Sequence, residues 1–196
     1  MKKLRIFFDI DGVLADTQTE VLNRYNEEYG LDYSLEDITC WDLTKVQKPG
    51  TDMTKYFNEP GFFASLKPLK GARSVVNGLS MMGDELFVAS ASPIEGLVDK
   101  VLWVKENFPQ IPLDNVSLIT RKDILCGDII LDDGLHNLSP TNFEYPIVFD
   151  QPWNRSGGQD FVRAYDWYHF FLLVAKIRKG YTYSQLLEEN EQAAVC

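Results

Sequence analysis

The chain is poor in positive charge: 19 Lys and Arg stand against 29 Asp and Glu over 196 residues, a formal net charge of -10. That balance argues against a long nucleic-acid partner, which would draw on clustered Lys and Arg. It leaves a mononucleotide open, because one phosphate can be held by a metal ion, one Lys and a few backbone N–H groups. Cysteine is scarce too. Cys40, Cys126 and Cys196 are odd in number and widely spaced, which makes neither a disulfide framework nor a C-x-x-C metal site, so a reducing cytoplasm is the expected compartment. His136 and His169 lack the partner spacing of metal ligands. Long apolar runs are absent: Phe170–Ala175 is far too short to cross a bilayer, and the stretch behind Met1-Lys2-Lys3 meets Asp9 too early for a signal peptide, so no membrane partner is expected. No repeat or low-complexity tract occurs. The 45% apolar content suits one domain with a small insertion.

Asp9-Ile10-Asp11-Gly12 follows directly on the apolar run Leu4–Phe8. Two carboxylates two residues apart thus stand at the C-terminal end of a predicted buried strand, where open α/β sheets build their sites. Such a strand-end Asp can attack phosphorus, and one two residues on, near the same face, can protonate the leaving oxygen. Gly12 allows a tight turn behind the pair. A second pair, Asp132-Asp133, closes the apolar run Ile129–Leu131. Carboxylates about 4 Å apart repel by about 4 kcal/mol at an effective dielectric near 20, so crowded acids call for a cation. Oxygen ligands beside a phosphate favour Mg2+.

Strand signals recur at Leu4–Phe8, Leu86–Ala89, Val116–Ile119, Ile129–Leu131 and Ile147–Phe149. Helical stripes lie between several of them: Ala72, Val75, Val76, Leu79 and Met82, then Leu97, Val98, Val101 and Leu102. This alternation predicts an α/β fold, a parallel sheet with helices on both faces. Residues 17–69 interrupt it with one amphipathic helix (Val21, Leu22, Tyr25, Tyr29), aromatic pieces and the turns Pro49-Gly50 and Pro60-Gly61. The expected organisation is a catalytic core of residues 1–16 and 70–196 with a small, mainly helical cap at 17–69. A last helix is expected over Tyr165–Lys179, and Glu188–Cys196 reads as a frayed tail.

The segment Asp9-Ile-Asp-Gly-Val-Leu-Ala-Asp16 resembles the first motif of the haloacid dehalogenase (HAD) superfamily. Trp41-Asp42-Leu43, Ser90–Ile94, Thr120-Arg121-Lys122, Asp128–Asp133 and Phe149–Asn154 are similar to the 5'(3')-deoxyribonucleotidases, particularly the bacterial and phage members, from about Lys3 to Lys179. The resemblance implies a HAD-like Rossmannoid core with an inserted cap and hydrolysis of (deoxy)nucleoside monophosphates through an aspartyl-phosphate on Asp9. It places Mg2+ on the side chains of Asp9 and Asp133 and the backbone carbonyl of Asp11. Asp132 then orients waters or Lys122, which lies ten residues before it, the family's spacing for a catalytic lysine. Arg121 is the alternative donor. Ser90 matches the phosphate-binding hydroxyl of the second motif; a gapless alignment puts that column on Ala91, and Ser92 is the runner-up, although Ser92 also suits a helix N-cap before Pro93. Trp41 and Phe57 align near aromatics that frame the base, whereas Phe62 and Phe63 fit cap-core packing better. Thr17 replaces an aromatic of some relatives. Rival expectations are a phosphatase of another small metabolite, such as a sugar phosphate, and a non-catalytic phosphate- or partner-binding protein. The sequence leaves a homodimer open.

Overall fold

The computed structural model describes residues 2–194, so Cys196 lies outside the described residues. Six parallel strands form one sheet in the order β3-β2-β1-β4-β5-β6: β1 (Arg5–Phe8), β2 (Glu85–Ser90), β3 (Val116–Leu118), β4 (Cys126–Asp132), β5 (Asn142–Phe149) and β6 (Val162–Ala164). The chain runs from β1 outward through β2 to β3, then crosses back to β4 on the other side of β1. The reversal leaves a crevice at the carboxyl ends of β1 and β4.

Alternation along the strands sorts the core into two layers. Leu4, just before β1, and Ile6 and Phe8 of β1 join Leu86 and Val88 of β2 and Ile129 and Leu131 of β4 in the larger one. It is covered by α2 (Ala72–Met81), α3 (Leu97–Asn107), α5 (Trp167–Arg178) and α6 (Tyr183–Ala194). Phe7, Ala89 and Ile130 face the other way, where Leu138 of the short α4 (Leu135–Leu138) and the loop residues Leu125 and Phe161 pack against them. Both faces carry helix, unevenly. Among the described residues, no helix is long and apolar enough to cross a membrane.

Between β1 and α2 stand α1 (Thr17–Tyr29) and four 3-10 turns, Leu35–Asp37, Leu43–Lys45, Thr54–Asn58 and Phe63–Ser65. This segment leaves and rejoins the core through a hydrogen-bonded neck: Asp16 N donates to Lys67 O and Leu69 N to Leu14 O, both at 2.8 Å.

Three sequence expectations need correction. The stripe Leu97, Val98, Val101 and Leu102 does not face the core; α3 buries Lys100, Trp103 and Val104 and turns Val98 and Leu102 to solvent. The cause is Trp103, which carries the larger apolar area and donates from Nε1 to Leu66 O at 2.7 Å, setting the helix's rotation. Strand β6 was not expected, because it is three residues long with Arg163 at its centre. Nor does the chain fray from Glu188: α6 runs to Ala194, its Leu186 is buried, and Asn190 Oδ1 accepts the Arg163 N–H of β6. Residues 195–196 of that expected tail lie outside the described residues.

Candidate active site

Phe8 of β1 lies level with Val88 of β2 and Leu131 of β4, and Asp9 N donates to Leu131 O at 3.0 Å. The residues that follow these strands therefore emerge together. Asp9, Asp132 and Asp133 are all buried and each brings a carboxylate oxygen within 4.8 Å of the others.

Their hydrogen bonds divide the labour. Both oxygens of Asp132 are used by the protein: Oδ1 accepts from Gly134 N (2.8 Å) and Asn137 Nδ2 (3.0 Å), Oδ2 from Lys122 Nζ (2.6 Å). Asp9 Oδ1 accepts its neighbour's Ile10 N–H at 2.7 Å and lies 3.1 Å from Lys122 Nζ, and no donor among the described residues reaches Oδ2. Asp133 Oδ2 accepts from Trp153 Nε1 at 2.9 Å, while its buried Oδ1 has no partner among the described residues. One free oxygen on Asp9 and one on Asp133 remain.

The electrostatics agree. Burial, with the charges of Asp132 and Asp9, pushes the Asp133 carboxyl well above the ordinary aspartate range. Burial also raises Asp132, against the pull of Lys122. Burial alone would lower Lys122; the charges of Asp9 and Asp132 outweigh it and hold the ammonium protonated above its usual range. One ammonium among three buried carboxylates leaves excess negative charge, and an orphaned carboxylate oxygen inside such a set fits a hard divalent cation.

Lys122 owes its place to a 3-10 turn, Lys122–Ile124, between β3 and β4. Arg121 is no rival: its side chain is 74% exposed and pairs with Asp123. Ser90 ends β2, and its buried hydroxyl donates to Ala91 O at 3.2 Å. Ser92 is not an N-cap, since Pro93 holds that position before the turn Ile94–Gly96 and the Ser92 hydroxyl donates instead to Pro93 O at 2.9 Å. Asp11 stands beyond β1 with Oδ1 accepting from Thr17 Oγ1 at 2.8 Å and Oδ2 paired to Lys100 Nζ. Between the two carboxylate loops, Gly12 has φ +70°, and a Cβ there would lie 2.5 Å from Asp133 Oδ2. Only glycine fits both demands.

A cavity of about 680 Å³ opens over these groups. Asp9, Asp11, Ser90, Ser92 and Lys122 line its floor side, and Trp41, Phe57 and Phe63 from the segment between β1 and α2 line the rest. Trp41 is 50% exposed and meets His136 edge-on at 4.9 Å. Phe57 lies nearly parallel to Phe63, ring centres 6.3 Å apart. Phe62 and Phe63 are buried, as core packing requires, though Phe63 also reaches the cavity.

Sequence reasoning gave no role to four residues that shape this site. Gln151 Nε2 donates to Gly12 O at 2.6 Å, and Asn154 Nδ2 to Asp133 O at 2.9 Å. With Trp153 they fasten both acidic loops from β5's exit. Their signal was the Phe149–Asn154 motif itself. Lys100 had no signal, standing inside an apparently amphipathic helix.

Residues 2–179 match the family described as 5' nucleotidase, deoxy (pyrimidine), cytosolic type C protein. The chain is 33% identical over 172 residues to the 5'(3')-deoxyribonucleotidase of Bacillus subtilis strain 168, covering 85% of this chain and 95% of that one. It is 33% identical over 181 residues to the enzyme of the same name from Clostridium acetobutylicum, covering 91% and 98%. The chain belongs to the 5'(3')-deoxyribonucleotidase family. Membership makes it a phosphoric monoester hydrolase of the nucleotidase type. The chain shares its fold with HAD hydrolases. A Deinococcus radiodurans HAD family hydrolase with bound phosphate and sodium superposes with a TM-score of 0.60 at 13% identity, covering 88% of this chain and 95% of that one. A Bacillus subtilis HAD hydrolase bound to magnesium superposes at 0.57 and 10% identity, covering 88% and 99%.

Proposed function

We propose that the chain hydrolyses (deoxy)nucleoside monophosphates to nucleoside and phosphate, with Mg2+ as cofactor and Asp9 as the covalent nucleophile. The observation that carries this reading is the pair of unclaimed carboxylate oxygens on the clustered Asp9 and Asp133, with Asp9 and Lys122 lining a cavity that aromatic side chains also line.

Asp9 Oδ2 forms a bond to phosphorus while the ester P–O bond breaks, and Asp11 gives its proton to the departing nucleoside oxygen. Asp11 then takes a proton from water, whose oxygen attacks the same phosphorus and returns Asp9 as a carboxylate. The Lys122 ammonium and the Ser90 hydroxyl hold phosphoryl oxygens on which charge gathers, with Ser92 beside them. Asp9, Asp133 and the Asp11 carbonyl would hold Mg2+, which when bound neutralises charge on the phosphoryl group. Asp132, spent on Lys122, Gly134 and Asn137, keeps the lysine in place. The relatives with bound phosphate and with bound magnesium support an anion and a metal site in this fold.

Residues 17–69 act as a cap over the phosphate site, with the hydrogen-bonded neck at Asp16 and Leu69 as its boundary. Trp41 and Phe57 take the base between them, and Gln18, whose buried Oε1 has no protein partner, and Asn58 add polar atoms to the wall. A cavity near 680 Å³ is in the range of small-molecule sites.

A phosphomonoester panel with Mg2+ or with excess chelator tests the proposal. The expected outcome is hydrolysis that needs Mg2+ and favours nucleoside monophosphates over base-free sugar phosphates. Preference for a sugar phosphate would move the substrate class, and full activity in chelator would remove the metal.

A further inference from the structure

Lys100 is a lysine almost without solvent: its side chain is 1% exposed. Burying an ammonium is costly unless partners replace water. Its partners come from three separate parts of the chain. Nζ pairs with Asp11 Oδ2, donates to the Ala91 carbonyl just past β2, and lies 3.3 Å from Ser90 Oγ. The Phe63 ring covers the fourth side, its centre 4.5 Å from Nζ, a cation–π contact. The fit depends on Gly96 at the start of α3, where a Cβ would lie 2.4 Å from the Phe63 ring. Thr17 holds the other oxygen of Asp11.

A carboxylate held by a hydroxyl on one oxygen and an ammonium on the other cannot swing about its terminal torsion. Asp11 must meet two targets in turn, the leaving oxygen and the attacking water, and either transfer needs it within hydrogen-bond reach. We propose that Lys100 is a positioning residue for the acid–base steps: with Thr17 it clamps the Asp11 carboxylate, and it ties that clamp to the Ser90 loop and to Phe63. The inference rests on the phosphatase reading above. Lys100 also lines the cavity, and its proposed role is exerted through Asp11.

The test compares Lys100→Met and Thr17→Val with wild type on a deoxynucleoside monophosphate and on p-nitrophenyl phosphate, whose leaving group needs no proton. In Lys100→Met, kcat for the nucleotide should fall about tenfold or more, part of the roughly 10²–10⁴-fold that an acid–base group supplies. KM should stay within about threefold, because the clamp acts on proton transfer rather than on substrate binding. The first-turnover burst of nitrophenolate should survive while the nucleoside burst disappears. Adding Lys100→Met to Asp11→Asn should cost less than about twofold more, the non-additivity of residues acting as one unit. Thr17→Val should show the same selectivity in weaker form.

Loss of both bursts together, or additive losses in the double variant, would make Lys100 merely structural and overturn the proposal; so would nucleotide turnover at the wild-type rate. Should Lys100→Met fail to fold, Thr17→Val decides, and unchanged nucleotide kcat there overturns the clamp. Wild type inactive on both esters would instead bring down the phosphatase reading and this inference with it.

Discussion

At the scale of single residues, the site is an exercise in assigning oxygens. Asp132 is fully satisfied by protein donors, whereas Asp133 keeps a buried oxygen with none. On the proposed reading, that oxygen is held for a metal ion at a cost to the metal-free protein. Replacing the carboxylate by an amide removes the cost of burying an acid whose ionisation its neighbours oppose, so Asp133→Asn should raise the metal-free melting temperature by a few degrees, the shift about 1 kcal/mol gives in a chain this size. It should also erase the stabilisation that saturating Mg2+ gives wild type, about 2.7 kcal/mol at a hundredfold excess over Kd. Thermal melts with Mg2+ and with chelator read both; a destabilised metal-free Asp133→Asn would show the carboxylate to be structural. Asp11 allows a second prediction. In Asp11→Asn, p-nitrophenyl phosphate should still give a nitrophenolate burst approaching one equivalent per enzyme, followed by a slow phase, with no comparable nucleoside burst from a nucleotide. Steady nitrophenolate release at the wild-type rate would exclude Asp11 as acid and base.

At the scale of elements, periodicity located the helices better than their rotations. The stripe Leu97-Val98-Val101-Leu102 is genuine, yet α3 turns on Trp103 and presents that stripe outward, carrying Lys100 inward to Asp11. No pattern of apolar residues could show this, because the ammonium's partners come from β1 and β2. Val98→Lys should therefore change stability by less than about 0.5 kcal/mol, while Trp103→Ala should cost about 3 to 5 kcal/mol in denaturant unfolding. The reverse order would restore the inward stripe. On the proposed reading, the aromatic turns between β1 and α2 carry substrate choice. Trp41 stands half-exposed at the cavity, so Trp41→Ala should raise KM for a nucleotide by the equivalent of about 1 to 3 kcal/mol and spare a base-free phosphomonoester. Equal losses on both would make Trp41 part of the cap's packing.

At the scale of the whole molecule, the sheet was legible because its central strands are buried on both faces and read as apolar runs, and because Asp9 and the pair Asp132-Asp133 stand at the ends of two of them. Five strands were legible as apolar runs, β3 among them although Val116–Leu118 is only partly buried at the sheet's edge. The sixth was not, since Arg163 spends its centre on Asp150 and Asn154. Asp9, Asp11, Ser90, Lys122, Asp132 and Asp133 were visible as residues at strand ends or at a family spacing. The residues that hold them, Lys100, Gln151, Trp153 and Asn154, were not, because a supporting contact across 20 to 139 positions leaves no local pattern. The net charge of -10 belongs to the whole chain, whereas the cavity is lined by two lysines, Lys100 and Lys122, where the proposed reading places the phosphate.

The claim on which all of this turns is that Asp9 becomes phosphorylated. Asp11→Asn mixed with Mg2+ and p-nitrophenyl phosphate, quenched in acid within the burst and digested, should yield a peptide carrying one phosphoryl group on Asp9, in amount equal to the nitrophenolate released. Wild type under the same quench should carry less. Nitrophenolate released with no phosphoryl group on Asp9, or with the group on any other side chain, would contradict the account.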